Sequence, residues 1–68
     1  MNYKTLKNKY PEIWNGVYDS MIVDLCDCMS GADIQQFKDG NKDCRIVRIA
    51  HNAAFLACSE HHKIQNKL

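Results

Sequence analysis

Chain breakers are scarce in this sequence. One proline and three glycines punctuate 68 residues, too few for a turn-dense β fold, and they favour helices joined by short connections. Long apolar runs are absent as well. No stretch of 18 apolar residues occurs, so no transmembrane helix is expected. The opening MNYKTLKNKY is basic but is followed by no apolar segment and no small-residue cleavage site, so no secretory signal is expected either. Net charge is only +1, short of the basic excess that a general polyanion binder carries. Gly-rich phosphate loops, helical metal-carboxylate pairs and Ser-nucleophile motifs are missing, and Cys26-Asp27-Cys28 lacks the spacing of redox or zinc Cys-x-x-Cys pairs. These absences give the expectation of a non-enzymatic protein with no cofactor.

What is present is globular. Hydrophobic residues make up 46% and charged residues 25%, a balance that argues against disorder. Residues 1–68 have room for one small domain, whose own core supplies on the order of 3–5 kcal/mol of net stability. A partner subunit is one common remedy for so small a core. Four cysteines without a secretory signal point to reduced, mostly buried thiols and a cytoplasmic location. Charge is segregated: residues 1–10 carry +3, residues 11–43 carry −5 and residues 44–68 carry +3. Such a pattern suits a protein partner, or simply solvated helix faces.

Hydrophobic spacing predicts three or four helices in an all-α bundle. Tyr3, Leu6 and Tyr10 suggest a short helix over 2–9, ended by Pro11. Pro11 then suits the first turn of a second helix reaching about Met29, in which Ile13, Trp14, Val17, Tyr18, Met21, Ile22, Leu25 and Cys28 share one side. Gly16 in its interior would allow close approach of another backbone or ring. Ser30 and Asp33 resemble a capping arrangement for a short helix over 32–39, and Gly40 suits its stop. Asn41 or Asp43 can cap a last helix over 44–63.

That last helix is apolar around more than half its circumference, against a stripe only somewhat wider than ~100° on an ordinary surface helix. Ala50, Ala53, Ala54 and Ala57 let a neighbouring helix approach closely. Two neighbours can do so: the second helix, with Trp14, Tyr18, Met21 and Leu25 filling the space beside the alanines, or a second copy in a homodimer through the C-terminal helix. The leading function is accordingly a small protein-binding regulator or inhibitor, of the kind that cells and phages encode, acting through a helical surface. Tyr10, Trp14, Tyr18 and Phe55 are its candidate contacts, because aromatic residues dominate binding hot spots.

Two other chemistries are possible. The stretch from Ala32 to His51 reads as helix, Gly-containing turn, helix, and as a helix-turn-helix it would offer Asn41, Lys42, Arg45 and Arg48 to DNA. Gln35, Gln36 and Asp39 fit the first helix of such a motif poorly, and Asp39 and Asp43 would repel phosphate. Alternatively, Cys58 and His62 stand i, i+4 and could share a metal ion in a metal-stabilised module, with further ligands from Cys26, Cys28 or a second chain. His51 is two turns from Cys58, too far to join that pair, and reads as a boundary residue.

Overall fold

A computed structural model describes residues 2–67, with side chains for residues 2–66. The described residues are all-helical: α1 Tyr3–Lys9, α2 Pro11–Cys28, α3 Gly31–Lys38 and α4 Arg45–Lys67. The expected domain of residues 1–68 extends past them at both ends. The helices stack into a rod of 44 × 19 × 14 Å with a Cα radius of gyration of 13.3 Å.

Local chemistry sets the helix ends. Asn2 caps α1, its Oδ1 accepting from the Thr5 backbone N–H at 2.9 Å and from the Thr5 hydroxyl at 3.0 Å. Pro11 opens α2 at the first turn, where its missing N–H costs nothing. Ser30 caps α3 by accepting from the Asp33 N–H at 3.3 Å, while its own hydroxyl donates to the Asp33 carboxylate at 2.8 Å. Asp is too short to complete a reciprocal capping box, so the pair closes through the serine hydroxyl instead. Gly40, at φ +81°, is the only described residue in the left-handed region and turns the chain out of α3. Asn41 Oδ1 then accepts from the Asp43 N–H at 3.0 Å, so Asn41 shapes the turn before α4, and Cys44 occupies the position just before its first residue.

Three sequence expectations are corrected. α4 runs on to Lys67 because no glycine or proline stops it after Lys63. α3 begins and ends one residue earlier than its spacing suggests. Gly16 faces open space, with nothing within 4 Å of the position of an added Cβ, so no backbone or ring packs against it.

α4 is the spine. Ile46, Ala50, Ala54 and Cys58, each four residues apart, form a fully buried line along it. Residues at i and i+4 share a face, and α2 covers that face along its length. At one end Leu6 of α1 and Trp14 of α2 close over Ala54 and Cys58, with Tyr10, Ile13, Val17, Tyr18 and Phe55 packed around them. At the other end Leu25 of α2 joins Cys44 and Ile46, with Ile34 and Phe37 of α3 among the surrounding residues. At the first end large side chains meet the small Ala54 and Cys58 of α4, and at the second Leu25 meets the larger Ile46, so each end fills its own space.

Candidate functional site

The single chain covers one side of α4 and leaves another open. Advancing ~100° per residue, Ile49, Ala53, Leu56, Ala57 and Ile64 fall within an arc of about 100°. Leu56 is 64% exposed and Ile64 56% exposed, while Ile49, Ala53 and Ala57 are half-buried. Two large aliphatic side chains therefore stand in water on one flank, one beside small residues over which a helix could lie close. Glu60 falls in the middle of the arc and makes a 3.8 Å ion pair with Lys63, both side chains well exposed.

The four alanines singled out from sequence divide. Ala50 and Ala54 are fully buried by their own chain and reach no surface, whereas Ala53 and Ala57 remain on the open flank. The aromatic candidates lie elsewhere. Trp14 is 3% exposed and belongs to the core, and half-buried Tyr10, Tyr18 and Phe55 pack against that same cluster. Ile64 escaped the sequence reading because the helix was ended one residue before it. Continuing the helical wheel past Lys63 places Ile64 on the same flank as Leu56.

Cys58 and His62 do lie on one edge of α4, but each is already engaged. The Cys58 thiol is buried, with Tyr10 O at 3.9 Å, and burial raises its pKa above the ordinary thiol value. His62 is hydrogen-bonded on both ring nitrogens, to the Tyr10 hydroxyl at 3.0 Å through Nδ1 and to the Asn66 side chain at 2.9 Å through Nε2. His61 stands edge-on to the Tyr10 ring at 4.8 Å. This corner ties the α1–α2 junction to the far end of α4. Among the described residues no three His, Cys, Asp or Glu side chains converge as metal ligands would. The four cysteines are free thiols: Cys44 and Cys58 buried, Cys26 half-buried, Cys28 exposed.

The basic residues of the DNA reading gather at the start of α4. Lys42 and Arg48 line an open cleft of about 440 Å³ with Tyr3 and His51. Arg45 and Arg48 line a second of about 490 Å³ with Asp33 and Asp43. The connection between α3 and α4 spans residues 39–44, longer than the three or four residues of a helix-turn-helix. His51 is half-buried, and its ring lies against Tyr3 and Trp14.

No known protein family, no curated protein and no solved structure matches this chain. No helix among the described residues is long and apolar enough to cross a membrane.

Proposed function

We propose that this chain is a small non-enzymatic protein-binding regulator or inhibitor, working in the cytoplasm, whose contact surface is the open flank of α4. The observation that carries this reading is the exposure of Leu56 and Ile64, on the flank that also presents Ala53 and Ala57. Scattered exposed aliphatics are ordinary, but two large ones on a single helix flank, beside small residues and interrupted by Glu60, suit a contact surface. The first occupant is a second copy, giving a twofold dimer through α4. Tyr10, Tyr18 and Phe55 support the helices that present the flank and are secondary contacts at most.

Native mass spectrometry of the untagged protein, beside the Leu56→Glu/Ile64→Glu double variant, tests the reading. A dimer that becomes a monomer on substitution is expected, with the helical circular-dichroism signal unchanged because both side chains are exposed. A monomeric native protein at tens of micromolar would refute the homodimer. Cross-linking in lysate then tests the wider claim, which fails if the native chain and the double variant capture the same partner equally.

The DNA-binding alternative has less behind it. The connection before α4 is longer than the turn of a helix-turn-helix, which disfavours the geometry that inserts a helix into a major groove.

A further inference from the structure

Three helices contribute to one aromatic cluster away from the open flank. The His51 ring of α4 stands edge-on to Tyr3 of α1 at 4.7 Å and to Trp14 of α2 at 5.2 Å, and the Tyr3 and Trp14 rings are 6.2 Å apart. Trp14 is sealed in the core, but Tyr3 remains 40% exposed. Tyr3, Val47 and His51 form the wall shared by two adjoining open clefts, of about 440 and 400 Å³. Lys42 and Arg48 line the first and Lys7 lines the second. Asn52 and Asn15 add amide groups, one to each cleft, and Asp43 and Asp19 add one carboxylate to each. Across the two clefts the cations exceed the anions by one.

We propose that these joined clefts bind a nucleotide, its base laid against the Tyr3 ring and its phosphate turned toward Arg48 and Lys42. Each part of the ligand answers a feature of the wall. A flat base has a π-face for an exposed aromatic ring, and stacking of this kind tolerates any base. A phosphate takes charge-assisted hydrogen bonds from the guanidinium and ammonium groups. The base edge and the sugar hydroxyls carry donors that Asp19 and Asp43 can accept. A simple anion would leave Tyr3 unused and meet the two carboxylates, and an aliphatic ligand would strand three cations. A base free to stack is an unpaired one, so the site selects a free nucleotide or a single strand over duplex DNA. His51 and Leu56 lie about 140° apart around α4, so the clefts and the open flank are separate surfaces and either can be lost without the other.

The test is fluorescence anisotropy at low salt with a short fluorescein-labelled oligo-dA strand, with AMP as competitor and the same sequence as a duplex for comparison. Saturable binding of the strand is expected. Tyr3→Ala should weaken it about tenfold or more, and Tyr3→Phe should leave it unchanged. With three cations on the wall, log K against log salt should fall with a slope no steeper than about −2, and Arg48→Ala should make it shallower by about 0.7. AMP competing as well as the strand identifies a free nucleotide as the ligand, and weaker competition identifies a strand. Should Tyr3→Ala unfold the protein, exposed Arg48 decides through its own variant. The inference is overturned if neither probe saturates, if Arg48→Ala changes nothing, or if the duplex binds more tightly than the strand.

Discussion

At the scale of single residues, Cys58 shows how packing controls chemistry. Its thiol is shut in beneath Leu6 and Trp14, and desolvation holds its pKa above the ordinary value of 9.0. The thiolate is the reactive form, so Cys58 should react with a thiol reagent far more slowly than exposed Cys28 in the native protein and at a similar rate once denatured. Mass-spectrometric mapping of the modified thiols against time checks this, and equal native rates would contradict the burial. The raised pKa also fixes a sign for stability. The folded state holds this proton more tightly than the unfolded chain, so the contribution is intact below about pH 9 and is lost as pH climbs toward the folded-state value. Denaturant midpoints should fall above that pH in the native protein and fall less in Cys58→Ala. The two informative glycines have opposite expectations. Gly16 sits in a helix and faces open space, so Gly16→Ala should raise stability by about 0.4–1 kcal/mol. Gly40 holds φ +81°, so Gly40→Ala should lower it by about 1–2 kcal/mol. Urea titration measures both.

At the scale of elements, most of the helical plan was legible. Pro11, Gly40 and the Ser30–Asp33 pair mark boundaries through fixed backbone geometry and capping hydrogen bonds, which act within a few residues and can be read without the fold. Removing the α3 cap with Ser30→Ala should cost about 1 kcal/mol, measured as a shift in the urea midpoint. The Asn2 cap on α1 was not foreseen, although Asn is among the best capping residues. The side of α4 that the chain itself covers could not be read from spacing. Ala50 and Ala53 are equally small and differ by less than a turn, yet one is sealed and the other half-open. That choice depends on where α1 and α2 cross α4, a long-range outcome. The aromatic cluster of Tyr3, Trp14 and His51 was hidden for the same reason: its members are far apart in sequence and meet only through the docking of three helices.

At the scale of the whole molecule, the described residues form a rod with two small cores strung along one helix. If α4 pairs with a second copy, stability is linked to association. The melting temperature should then rise with protein concentration, and Leu56→Glu/Ile64→Glu should abolish that dependence. A melting temperature that is flat over a hundredfold range in concentration would count against the dimer. The spine has a further consequence, for synthesis. α4 follows α1, α2 and α3 in chain order and supplies the buried line that both cores need. While a ribosome adds residues at about 5–20 per second, the first three helices emerge with Leu6, Trp14 and Leu25 lacking the surface they will bury against. Cooperative folding waits for the segment through Cys58 to clear the exit tunnel. A nascent chain arrested earlier would present its apolar faces to chaperones and proteases.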